Sequence, residues 1–99
     1  MSAYVILIRN SIVNQSELDT YAAMARRARG AEPPTPLAYY GEALALEGPD
    51  VDGVVILEFK NTDAAKAWYD SPAYQAAKAH RLQGADCRVI LADGVPGAG

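Results

Sequence analysis

Val54-Val55-Ile56-Leu57-Glu58-Phe59 is rich in β-branched residues and reads as a strand. Side chains alternate across a strand, so Val54, Ile56 and Glu58 share one face while Val55, Leu57 and Phe59 share the other. A sheet with one face in water should alternate apolar with polar, yet this strand is apolar on both sides. Ala3-Tyr4-Val5-Ile6-Leu7-Ile8-Arg9 repeats the pattern, with Tyr4, Ile6 and Ile8 opposite Ala3, Val5 and Leu7. So does the segment Cys87 to Ala92, with Val89 and Leu91 opposite Ile90 and Ala92.

Between these strands the period changes. From Ser16, the residues Leu18, Tyr21, Ala22, Ala25 and Ala28 recur at helical spacing, with Ser16 as the expected cap and Gly30 as the stop. Glu17 and Asp19 at its start and Arg26, Arg27 and Arg29 at its end suit the helix dipole. Pro33, Pro34 and Pro36 force an extended link, and Leu37 to Leu46 alternates loosely enough to predict a strand bulged near Gly41. Gly48 to Gly53 is a turn by composition. Asn61 or Thr62 opens a second helix through Trp68 and Tyr69, and Ser71-Pro72 is a second cap with a first-turn proline, from which the helical period restarts and runs to Gly84. The order is βαββαβ, an α+β ferredoxin-like domain over residues 1–99 with a four-stranded antiparallel sheet, both helices on one face and a frayed tail over 94–99. Two helices cover such a sheet only once, so the second apolar face needs a partner. A second copy of the chain is the simplest one, and a homodimer through sheet faces is expected.

Composition narrows the function. The chain has 99 residues, 51% apolar and 21% charged, with a net charge of −3 that argues against general nucleic-acid binding. Its longest apolar run, Ala3 to Ile8, is far short of a membrane span, and the single cysteine, Cys87, rules out an internal disulfide. A cytoplasmic setting is expected. No glycine-rich phosphate loop, nucleophile elbow or metal-ligand spacing occurs, so no cofactor or metal is expected.

The candidate chemistry rests on few residues. Glu58 is a mid-strand carboxylate among apolar neighbours: facing a barrel interior it would be a desolvated general base, and otherwise a structural partner of Arg9 or Arg88. Tyr69, Tyr74 and Arg81 can present hydroxyls and a guanidinium at the mouth of a cleft beside Ser71, or Trp68 and Tyr74 can simply pack the angle of a kinked helix. His80 reads as a solvated edge residue, and the Arg26, Arg27 and Arg29 cluster as a solvated helix end. Six tyrosines against one phenylalanine, Tyr4, Tyr39 and Tyr40 among them, hint at a polar pocket, because buried phenols need partners.

The segment Leu57-Glu58-Phe59, then Trp68-Tyr69-Asp70-Ser71-Pro72-Ala73-Tyr74-Gln75 and on to Arg81, resembles the bacterial domain-of-unknown-function family thirteen-thirty of the dimeric α/β-barrel superfamily. The likeness covers roughly the C-terminal half, with Ala3-Tyr4-Val5 and the overall layout carrying it through the rest; Tyr40-Gly41 stands where the family tends to show paired glycines. The resemblance implies paired sheets across a two-fold axis but no reaction. Relatives in the superfamily include cofactor-free monooxygenases, muconolactone isomerases and haem enzymes, so fold leaves function open. Two expectations stand. One is a dimer binding a small aromatic or acidic metabolite, with cofactor-free isomerase or monooxygenase-like chemistry in which Glu58 is the base and Tyr69, Ser71, Tyr74, Arg81, Arg88 and Arg9 bind the ligand. The other is a non-catalytic ligand-binding or structural dimer module.

Overall fold

The computed structural model describes residues 1–30 and 32–96. Its elements are β1 (Ala3–Ile12), α1 (Gln15–Arg27), β2 (Thr35–Tyr39), β3 (Gly53–Phe59), α2 (Thr62–Asp70), α3 (Pro72–Gly84) and β4 (Ala85–Asp93). The four strands form one sheet in the order β2-β3-β1-β4, every pair antiparallel, which is the ferredoxin-like arrangement.

Register sorts the side chains as the alternation requires. Tyr4, Ile6 and Ile8 stand opposite Glu58, Ile56 and Val54 on one side and Ala92, Ile90 and Arg88 on the other, forming a face that no helix among the described residues covers. The opposite face supplies the core: Ala3, Val5 and Phe59 pack on Ala64 and Ala65 of α2, with Leu57, Trp68 and Val89 around them. Helix α3 turns Tyr74, Ala77, Arg81 and Gly84 inward along one stripe of its surface.

Several expectations are corrected. Helix α1 is capped by Asn14, whose side chain accepts from the amides of Ser16 at 3.1 Å and Glu17 at 3.4 Å, and it ends at Arg27 instead of Gly30. Strand β2 is shorter than Leu37 to Leu46 and starts earlier. It ends where Tyr40 takes φ 55°, a left-handed conformation that turns the chain off the sheet. The irregularity in its pairing falls between Pro36 and Ala38, away from Gly41. The second helical region is two helices: Ser71 is extended, accepts from the Tyr74 amide at 3.2 Å and donates to the Trp68 carbonyl at 2.8 Å. At the end of the chain the Gly94 amide donates to the Ser2 carbonyl at 2.7 Å, and of the tail expected to fray over 94–99, residues 97–99 lie outside the described ones.

Candidate functional site

A cavity of about 460 Å³ lies between α1 and the β2–β3 half of the sheet. That volume falls within the usual range for small-molecule sites. Helix α1 packs chiefly on α3, which leaves this half of the sheet uncovered. Val5, Leu7, Val55, Leu57 and Val89 form the floor, Tyr21 and Ala25 of α1 the roof, and Trp68 and Tyr74 one wall. Pro34, Pro36, Tyr39 and Tyr40 close the far side. Ala25 follows Tyr21 by four residues on the same helix face, and its small side chain leaves room beneath the helix.

Two tyrosines of the lining meet, and Arg26 and Arg29 line the cavity as well. The Tyr21 and Tyr74 hydroxyls are 2.9 Å apart, either able to donate, and their rings meet edge to face at 6.2 Å. Behind them Arg81 is 4% exposed, with its guanidinium carbon 5.9 Å from the centre of the Tyr21 ring. Among the described residues Arg81 has no ion-pair partner, and its Nε–H is buried without an acceptor. Burial opposes its charge, but the phenol oxygens of Tyr74 and Tyr21 outweigh that opposition and hold the proton more firmly than usual. Burial also drives the Tyr21 hydroxyl far above the ordinary phenol range, with neighbouring Tyr74 adding to the shift, so it stays a neutral donor. A buried cation behind a pair of hydrogen-bonded phenols is an arrangement that stabilises negative charge on an oxygen placed within reach of those hydroxyls.

A second group stiffens the wall. Arg9 lies over the Tyr40 ring, 4.3 Å from its centre, and donates from Nε to Asp52 at 2.5 Å. Gly53 is required beneath that ring, since a Cβ there would come within 2.7 Å of it. Burial raises the Tyr40 hydroxyl, with Arg9 opposing, and raises the Cys87 thiol, with Arg81 opposing.

The structure distributes the sequence candidates unevenly. Tyr74 and Arg81 come together in the interior, 1% and 4% exposed, because both lie on the inward stripe of α3, and of the two only Tyr74 lines the cavity. Tyr69 is half-buried beside Tyr74 at 5.5 Å between ring centres, with the Lys78 ammonium 5.1 Å from its ring centre. Ser71 is occupied as a helix cap. Glu58 pairs with neither Arg9 nor Arg88; it accepts from the Tyr4 hydroxyl at 3.4 Å on the uncovered sheet face. Arg9 is on the helix side of the sheet, and Arg88 shares the Glu58 face but sits two strands over and four positions along, about 16 Å away from strand rise and strand spacing. His80 is not simply solvated: its Nδ1 lies 2.6 Å from Glu17 Oε2, tying α3 to α1. Tyr21 and Ala25 were hidden inside a helical stripe that reads as ordinary core, although the excess of tyrosine over phenylalanine was a signal for Tyr21. Among the described residues no cluster of His, Cys, Asp and Glu can hold a metal ion. No helix among them is long and apolar enough to cross a membrane.

The model of one family, described as Domain of unknown function (DUF1330), matches residues 2–95, and the chain belongs to that family. No curated protein matches it. Among solved structures it is similar to a protein of unknown function from Rhodopseudomonas palustris, at 17% identity and a TM-score of 0.75 over 95% of this chain and 82% of that one. It is also similar to a dimeric ferredoxin-like protein of unknown function from Thermobifida fusca, at 16% identity and a TM-score of 0.64 over 95% and 92%. A third is SnoaB, a cofactor-independent oxygenase from Streptomyces nogalater, at 10% identity and a TM-score of 0.63 over 95% and 92%. At these identities the likeness shows the ferredoxin-like fold alone.

Proposed function

We propose that this member of the DUF1330 family is a cytoplasmic homodimer, paired through its uncovered sheet faces, that binds a small aromatic metabolite in the cavity beneath α1. The observation that carries the reading is the Tyr21–Tyr74 hydroxyl pair, backed by buried Arg81, in a cavity lined mostly by apolar side chains. Aromatic and aliphatic walls take the ring by area burial, and the phenols fix an oxygen substituent of the ligand. Arg81 acts through the phenols as a positioning residue, and Arg9 holds Tyr40 in the wall.

The same hydroxyl pair suits a ligand whose oxygen gains negative charge, as in the enolate or phenolate of cofactor-free isomerase or oxygenase chemistry. Among the described residues no carboxylate lines the cavity, however, and Glu58 sits on the opposite face of the sheet. Binding without turnover is therefore the better-supported reading. Glu58, Tyr4 and Arg88 belong to the proposed dimer face, while Tyr69 and Ser71 act by shaping the α2–α3 junction.

Trp68 is the only tryptophan and lines the cavity, which makes its emission a direct reporter. Titration with 1-naphthol should give saturable quenching, removed by Ala25→Phe, which fills the space, and weakened about tenfold by Tyr74→Phe, the loss of roughly one hydrogen bond's worth of affinity. Quenching that survives Ala25→Phe unaltered, or no saturable signal with any aromatic alcohol, would contradict the reading.

A further inference from the structure

The cavity has a second chemical character. Arg26 and Arg29, at and just beyond the C-terminal end of α1, line it together with Tyr21 and Ala25 of that helix. Arg26 stands about 8 Å beyond Tyr21 along the α1 axis, at 1.5 Å per residue. Both arginines are exposed, and neither is in an ion pair among the described residues. The nearby carboxylate of Glu32 is already taken by Lys60 at 2.7 Å. Complementing the helix dipole accounts for Arg26 and Arg27 in the last turn, but Arg29 lies beyond the end of α1 and still reaches the cavity, whereas Arg27 does not.

We infer that the ligand is an amphiphilic anion: an aromatic body with a carboxylate or similar acidic group held by Arg26 and Arg29, and a neutral oxygen substituent meeting Tyr21 and Tyr74. The inference rests on the cavity being the binding site and adds the class of molecule it selects. Guanidinium groups take planar acids in a forked geometry, and at a solvent-facing rim they discriminate between charged and neutral forms without the desolvation penalty of a buried pair. The length of α1 between Tyr21 and Arg26 fits a fused two-ring skeleton between the two polar groups.

Matched probes separate this inference from the reading beneath it. 2-Naphthoate and 2-naphthamide share a ring system and differ in charge, and both report through Trp68 emission. The wild-type protein should bind the acid at least tenfold more tightly than the amide. The double variant Arg26→Gln/Arg29→Gln should lower naphthoate affinity to the naphthamide level, while Arg27→Gln, the same loss of charge one position away, should leave the ratio as it is. Equal affinity for the two probes in the wild-type protein overturns the inference and leaves the cavity reading standing, as does a preference that persists in the double variant or falls equally in Arg27→Gln. Failure of both probes to perturb Trp68 overturns the cavity reading, and the inference with it.

Discussion

Tyr40 shows how one residue shapes this site. A non-glycine residue with φ 55° carries a backbone cost of about 1–3 kcal/mol, and here it ends β2, sends its ring across Gly53 and meets Arg9. Truncation separates strain from packing: Tyr40→Ala keeps the left-handed backbone without the ring, whereas Tyr40→Gly loses both the ring and the strain. Urea unfolding should place Tyr40→Gly about 1 kcal/mol above Tyr40→Ala in stability, and equal stabilities would mean that the backbone relaxes without cost. The titrating groups of the site give a second expectation. Burial raises the folded-state values of Tyr21 and Tyr40 above their ordinary 10.0 and that of Cys87 above 9.0, so the unfolded chain ionises first as pH rises. These groups stabilise the fold fully below those ordinary values, and stability should fall from about pH 9 upward, more steeply past about pH 10. Urea midpoints measured across that range should decline, less steeply in Tyr21→Phe; a flat profile would show that the phenols are not buried as described.

At the scale of elements, most boundaries follow from local chemistry and were legible. Ser71-Pro72 marks the α2–α3 junction because a side-chain cap and a proline lacking an amide hydrogen together restart a helix. The start of α1 was misplaced because Asn14 and Ser16 are both good caps, and the choice depends on where the chain leaves β1, which is fixed by the Val13 and Asn14 amides donating to the Gly84 carbonyl. Asn14→Ala should cost about 1 kcal/mol in thermal or chemical unfolding, while Ser16→Ala should cost only a few tenths; the reverse order would return the cap to Ser16. The extent of β2 was not legible. Alternation through Leu37 to Leu46 is a real strand signal, but a strand also needs a neighbour, and among the described residues the pairing with β3 ends once the Tyr40 amide has donated to the Val54 carbonyl at 3.0 Å.

For the whole molecule, the apolar strand faces were readable from sequence because alternation fixes which residues share a side, and the register places them as expected. The cavity was not, since it arises from how α1 sits against the sheet, a long-range matter that no local pattern encodes. The uncovered face keeps Ile6, Ile8, Ile56 and Ile90 partly exposed, Ile90 at 37%, and the nearby loop exposes Leu44 and Leu46 at 78% and 86%, apolar surface that a second copy would cover. Sedimentation at micromolar concentration should find a dimer, and Ile56→Glu at the centre of that face should yield a folded monomer; a monomeric wild-type protein would contradict the pairing. The claim on which the functional account depends is that the space beneath α1 is a ligand site. A crystal structure of the protein with 1-naphthol tests it most directly: the account places the ring between Trp68 and Ala25, with its oxygen in hydrogen-bond reach of Tyr21 or Tyr74. A cavity closed by its own side chains, or naphthol bound only elsewhere, would contradict it.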